Sequence, residues 1–245
     1  MKKVSLILGL VVAVVVGYVV FQRISSAPAE GGVAVPAVKA APVDPAALIP
    51  KAEQGDVAAQ VQLGKYYANS QGGPSSYKEA AKWYKMAADK GNAEGQSGLG
   101  ELYEAGQGVT KDVKEAMRLY RLAAEQGFAP AQYNLGFMYE EGRGMPANQK
   151  EAVKWYTMAA NQGESISQFD LGQRYFSGLG VAVDRSEGLK WLRVAAAQGQ
   201  DDAIKWIPKA KAKMSSEEIV EAEKRAAAFV PKKVVPDTAA ATTAK

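Results

Sequence analysis

Residues 131–163 read AQYNLGFMYEEGRGMPANQKEAVKWYTMAANQG, two helix-forming stretches around a glycine turn. The first, AQYNLGFMY from Ala131, and the second, KEAVKWYTMAA from Lys150, are joined through Gly142-Arg143-Gly144, and glycine permits the tight turn. Asn148 stands before the second stretch as an N-cap whose side-chain oxygen can accept a backbone N–H. Glu151, three positions on, suits a capping box and the positive end of the helix dipole. Gly163 follows Ala159-Ala160 by three residues, where a C′ glycine ends a helix. The segment predicts one antiparallel αα-hairpin.

The hairpin recurs along the chain. Gly55, Gly91, Gly127, Gly163 and Gly199 are spaced by 36 residues without an insertion. The other first helices read AQVQLGKYY from Ala59, GQSGLGELY from Gly95 and SQFDLGQRY from Ser167; the other second helices read KEAAKWYKMAA from Lys78, KEAMRLYRLAA from Lys114 and SEGLKWLRVAA from Ser186. Ser76, Asp112 and Asp184 share the N-cap column with Asn148, and Glu79, Glu115 and Glu187 follow as Glu151 does. Gly72, Gly108 and Gly180 share the turn column with Gly144. One hairpin cannot bury its apolar face alone, and stacked hairpins can. The expected fold is therefore all-α: a right-handed α-solenoid of four 36-residue αα-hairpin repeats, at about 52–91, 92–127, 128–163 and 164–199.

Small residues indicate how the hairpins meet. Gly64, Gly100, Gly136 and Gly172 stand mid-helix, where glycine costs about 1 kcal/mol relative to alanine, so a packing reason is expected for each. The pairs Ala87-Ala88, Ala123-Ala124, Ala159-Ala160 and Ala195-Ala196 offer flat surfaces, and Trp83, Leu119, Trp155 and Trp191 are expected to fill the gaps between hairpins. A fifth unit begins at Ala203 and keeps Ile207 in the leucine column, but Pro208 falls on the glycine column and is expected to stop the pattern. Ser215-x-x-Glu218 resembles a capping box and opens a C-terminal capping helix near 217–229, closing a cap over 200–230.

The flanks differ from the repeats in composition. Met1-Lys2-Lys3 precedes an apolar run over residues 4–21, long enough as a helix to cross most of a hydrocarbon core. Two lysines before it and a lone Arg23 after it place the N-terminus on the cytoplasmic side. Residues 1–24 are expected to be an inner-membrane anchor, with a cleaved signal ending at Ala27-Pro28-Ala29 as the alternative. Residues 25–43 form an Ala/Pro-rich linker, and residues 231–245 are expected to be a disordered tail after the solenoid of 44–230. From Asp44 to Val230 there are 23 Lys and Arg against 24 Asp and Glu, so the net charge of +4 belongs to the flanks and gives no reason to expect nucleic-acid binding.

The chain has no cysteine and no histidine, which removes disulfides, thiolate nucleophiles, the commonest general base and the commonest metal ligand. Neither catalytic residues, a metal nor a cofactor is expected. Ser75-Ser76-Tyr77-Lys78 contains a Ser-x-x-Lys string, but its Ser-Asp-Asn and Lys-Thr-Gly companions are absent. The Gly-x-Gly turns lack the Lys-Ser/Thr of a phosphate loop and recur with the repeat.

These frames resemble the Sel-one-like repeat family, relatives of the tetratricopeptide repeats, over residues 52–199. Gly95 and Ser167 depart from its first alanine, Leu119 from its tryptophan, Gly188 from the alanine after glutamate, and Ser70-x-Gly72 from its Gly-x-Gly turn. The resemblance implies a non-catalytic adaptor that binds a protein or peptide partner. With the membrane segment, the expectation is a scaffold anchored in the inner membrane of a Gram-negative cell, its repeats in the periplasm. The alternatives are an envelope enzyme or peptidoglycan-active protein, or a cleaved, secreted factor that contacts a host.

If a partner lies on the concave wall of first helices, columns in which the copies differ are the candidate contacts. These are Gln62, Lys65, Tyr66, Glu101, Asn134, Phe137, Met138, Asp170, Gln173 and Arg174, with Phe137 and Met138 as the apolar anchor.

Overall fold

The computed structural model describes residues 44–70 and 73–232. The membrane run at 4–21, the linker at 25–43, Gly72 and the tail from 233 onward lie outside the described residues. Among the described residues there are eleven α-helices and no strand, and no helix is long and apolar enough to cross a membrane.

Helix α1 (Pro45–Glu53) precedes four hairpins: α2 (Val57–Asn69) with α3 (Gly73–Asp89), α4 (Ala93–Ala105) with α5 (Val113–Glu125), α6 (Ala129–Glu141) with α7 (Gln149–Asn161), and α8 (Ser165–Ser177) with α9 (Arg185–Ala197). Helices α10 (Asp201–Lys211) and α11 (Ser216–Ala227) close the array. This is the all-α solenoid that the 36-residue spacing predicts.

The cores lie between repeats. Leu119 of α5 packs with Ala80, Ala81 and Tyr84 of α3 and with Leu99 and Leu102 of α4. Trp155 of α7 packs in the same way with Tyr120 and Ala124 of α5 and Leu135 of α6. Trp191 of α9 repeats the arrangement against Tyr156 and Ala160 of α7 and Leu171 of α8. Each cluster thus joins a second helix, the next first helix and the side chain that wedges between hairpins.

At the amino end α1 supplies the missing second helix. Ala52 and Leu48 pack with Leu63 of α2 and Trp83 of α3, and Ala52 and Gly55 fall in the Ala88 and Gly91 columns. This half repeat escapes a search for whole copies, although Asp44 capping a helix with Pro45 in its first turn is a sequence-level start signal. At the carboxyl end α11 packs directly on α9, and Ala222 joins Leu189, Leu192, Ala203 and Ala210 in the last core.

The mid-helix glycines allow side chains of the second helices to reach first-helix backbone. A Cβ on Gly136 would lie 2.9 Å from the Tyr156 ring, and one on Gly64 would lie 2.5 Å from the Tyr84 ring. Tyr120 and Leu192 stand over Gly100 and Gly172 in the same way.

Between repeats, a ladder of buried glutamines holds the register. Gln132 and Gln168 each donate Nε2 to the preceding second helix, at Ala124 O and Ala160 O, both at 3.0 Å. Their Oε1 atoms accept from Gln162 and Gln198 of the following helix at 2.7 Å, and Gln96 accepts likewise from Gln126. In the first repeat Lys90 stands in that donor column and turns instead to Gly55 O, leaving the buried Gln60 Oε1 without a hydrogen bond.

Four expectations change locally. Asp112, Asn148 and Asp184 do cap their helices, but Ser76 lies inside α3, which starts at Gly73, and its hydroxyl donates to Tyr67 O. Glu115, Glu151 and Glu187 do not close capping boxes; they pair with Arg118, Lys154 and Lys190 one turn on, whereas Ser215 and Glu218 form the box. Pro208 does not stop α10, which runs through it to Lys211. Pro231 and Lys232 are docked: the proline rests on Gly163, and Lys232 N–H donates to Asn161 O at 2.7 Å.

Two substitutions follow. Gly136→Ala is expected to lower stability by about 1–2 kcal/mol, because crowding the Tyr156 ring outweighs the helix propensity gained; the urea midpoint by circular dichroism measures it. Lys90→Gln is expected to raise stability by about 1 kcal/mol by giving Gln60 Oε1 its donor, read as a higher thermal midpoint.

Candidate functional site

The first helices bury one side in the inter-repeat cores and present the other. Leu63, Leu135 and Leu171 are fully buried, as are the ladder glutamines. One residue before each leucine the side chains differ between copies, and Gln62, Lys65, Tyr66 and Glu101 are exposed.

The two central repeats share a network absent from the outer ones. Tyr120 OH donates to Glu104 Oε2 at 3.0 Å, and Arg143 Nη1 pairs with Glu104 Oε1 at 2.7 Å. One repeat on, Tyr156 OH donates to Glu140 Oε2 at 2.7 Å, and Arg174 Nη2 pairs with the same oxygen at 2.6 Å. Ala68 and Phe176 occupy the equivalent column in the first and fourth repeats, so neither can take part. The network links first helix, second helix and following repeat, and its paired Tyr-Glu columns, 16 residues apart, are the signal by which it can be read in sequence.

Two predicted contacts are corrected by this geometry. Met138 is fully buried in the core of α5, α6 and α7, because its column faces the preceding second helix, and it cannot anchor a partner. Arg174 is only 4% exposed, held by Glu140, by Gln149 Oε1 at 2.8 Å and over the Tyr156 ring at 5.1 Å. Its role is to join the third and fourth repeats.

The other eight reach solvent to different extents. Lys65 pairs with Glu94 across the first two repeats, and Tyr66 stands edge-on to Tyr67 at 5.3 Å. Asn134, Phe137, Asp170 and Gln173 are half-buried, and the Arg143 guanidinium lies 4.7 Å from the Phe137 ring centre. The structure brings Glu101 and Asn134 of neighbouring repeats close enough for the amide to act on the carboxyl.

Electrostatics separate this face from the rest of the surface. Although the Glu101 side chain reaches solvent, desolvation by the helices around its carboxyl, then Glu104 and Glu94, push it up to about 7, with the Asn134 amide opposing. Asp170 is also pushed up to about 7, by desolvation first, then by Glu140 and Glu164, with Arg174 opposing. Burial likewise raises the Tyr120, Tyr133 and Tyr156 phenols, so all three are neutral donors at physiological pH. Among the described residues no group of side chains is placed to hold a metal ion.

A carboxyl whose folded pKa exceeds its unfolded value binds more protons in the native state. Its contribution therefore falls as pH rises from about 4 to about 7 and stays low above that. Asp170→Asn is expected to raise the urea midpoint at pH 8 and leave it little changed at pH 5, so that the difference between variant and wild type grows with pH.

The family model described as Sel1 repeat matches residues 57–92, 93–128, 129–164 and 165–200. No curated protein matches the chain. Among solved structures, a Sel1 repeat protein from Oxalobacter formigenes is similar at a TM-score of 0.63 and 29% identity, over 78% of this chain and 78% of that one. The protein c5321, a protective antigen present in uropathogenic Escherichia coli strains and displaying an SLR fold, matches at 0.45 and 26%, over 74% of this chain and 47% of its own. A putative Sel1 repeat protein from Klebsiella pneumoniae subsp. pneumoniae matches at 0.46 and 20%, over 68% and 83%. Four consecutive matches across more than half of the chain, each coinciding with a stacked hairpin, establish that the chain belongs to the Sel1 repeat family.

Proposed function

We propose that this chain is a non-catalytic scaffold in the bacterial cell envelope, holding a protein or peptide segment along the concave face of its first helices. Sel1 repeats generally mediate protein–protein interaction. The observation that carries the reading is how side chains are divided along each first helix. Columns common to all copies are consumed by the fold, as the buried leucines and glutamines are, whereas the columns that reach solvent differ from copy to copy. A face that varies along a rigid repeat suits recognition of an extended, non-repetitive segment.

The close approach of α2 to α4 and of α8 to α10 supports the first helices as the inner side of the array. Carboxylates outnumber bases there: Glu94, Glu104 and Glu140 pair with Lys65, Arg143 and Arg174, which leaves Glu101, Glu164 and Asp170 in excess. A segment bearing lysine or arginine, with an apolar residue for Phe137, fits that balance.

The envelope location rests on the sequence alone. Residues 4–21 would tether the domain to the inner membrane, with residues 25–43 as spacer and the repeats in the periplasm.

Crosslinking in cells followed by mass spectrometry is expected to recover a partner with the wild type and to lose it with Glu101→Arg plus Phe137→Ala, purified to confirm an unchanged helical spectrum. An identical partner list for both would remove the first-helix face from consideration. The tether is tested separately by alkaline extraction of membranes, in which the chain is expected to stay in the pellet with Met1 intact; full release would rule the anchor out.

A further inference from the structure

The chain places part of its own carboxyl end on the outer side of the array. Phe229 meets Trp191 of α9 edge-on, with ring centres 5.2 Å apart and planes at 68°. Lys190 Nζ lies 3.8 Å from the Trp191 ring centre and 5.7 Å from that of Phe229. Two residues on, Pro231 sits over Gly163 at the end of α7, and Lys232 N–H donates to Asn161 O at 2.7 Å. An extended segment therefore lies across the groove between the second helices of the third and fourth repeats, and its side chains also reach the α7–α9 core. Gly163 has φ +97, and a Cβ there would be in contact with the proline, so this glycine both ends α7 and seats the segment.

The 36-residue repeat places the same parts one groove earlier, between α5 and α7. Trp155 stands where Trp191 does, with Lys154 Nζ 5.7 Å from its ring centre. Gly127, at φ 86, stands where Gly163 does, and Glu125 ends α5 as Asn161 ends α7. No described segment of the chain crosses this groove. Trp155 keeps 7% of its surface exposed against 3% for the covered Trp191, and its buried Nε1 has no hydrogen bond. Leu122 of α5 and Met158 of α7, which share one column, are 37% and 39% exposed. The groove between α3 and α5 lacks the key partner, because Leu119 replaces tryptophan.

We infer that the outer groove between α5 and α7 docks an extended segment of a partner protein that carries an aromatic residue two positions before a proline, the chemistry of Phe229-Val230-Pro231. The aromatic residue meets the Trp155 edge under Lys154, and the proline rests on Gly127. Leu122 and Met158 flank the segment. This surface lies on second helices and does not depend on the first-helix reading above.

The test uses the purified full-length chain and a fluorescein-labelled AFVPKK peptide, matching residues 228–233, read by anisotropy. Saturable binding to wild type is expected, weakened about fivefold or more by Trp155→Leu, a residue the repeat already accepts at Leu119. Met158→Glu, at an exposed position, is expected to weaken binding as well and keeps the test decisive if Trp155→Leu fails to fold. A peptide with Phe and Pro both replaced by Ala is expected not to bind. The proposal is overturned if wild type does not bind, if the Ala-substituted peptide binds equally, or if Met158→Glu binds as wild type does. It is also overturned if binding appears only in a chain carrying Phe229→Ala and Pro231→Ala, since the peptide would then be replacing the chain's own segment.

Discussion

Everything in this domain depends on cores that no single repeat owns. Trp155 belongs by sequence to the third hairpin, yet it is buried against Tyr120 and Ala124 of the second. Removing a repeat would expose two half-cores, and adding one would require a matching pair of faces. Burial of this kind stabilises only as stacking proceeds, so both ends need special treatment. The chain meets that need differently at each end, with a lone second helix at α1 and with α11 laid directly on α9.

Apolar contact between stacked hairpins is tolerant of small slips, and the polar ladder is what removes that tolerance. A glutamine at 0–5% exposure must find partners for both its oxygen and its nitrogen, since an unpaired buried polar atom costs about 1–3 kcal/mol. Gln132 finds Ala124 O on one side and Gln162 on the other only when three helices are in register. The role of that column could be read in sequence only by pairing it with a second column 30 residues later, because these bonds join the two far ends of one hairpin and no local signal marks them.

The solenoid was legible because its determinants are local and repeated: caps at Asp112 and Asn148, glycine ends at Gly91 and Gly163, and one side-chain frame four times over. Departures came where a local rule met a tertiary contact. Pro208 forfeits one helical hydrogen bond, yet α10 continues because Ala203 and Ala210 on either side of it are both buried in the last core. The candidate face was legible in part for the same reason. Column variation found Gln62, Lys65 and Glu101, which are exposed, but it could not separate a residue that varies to suit a partner from one that varies to suit its neighbouring repeat. Met138 and Arg174 are of the second kind. Met138 is a gap-filler against α5, and Arg174 answers a glutamate that only the central repeats possess.

The same reasoning bears on how the two sides of the array relate. Met138 and Trp155 share one core cluster, so the helix that presents Phe137 on one side and the helix that presents Met158 on the other are packed against a common interior. Interiors at close-packed density deform little, and this one is further pinned by the Gln132–Gln162 bond and the Glu140–Arg174 pair. Two segments bound on opposite sides would therefore be held at a fixed separation and orientation by the third repeat. In the scaffold proposed above, that rigidity would be the useful property: the repeat would set where two ligands stand relative to each other, and the variable columns would select them.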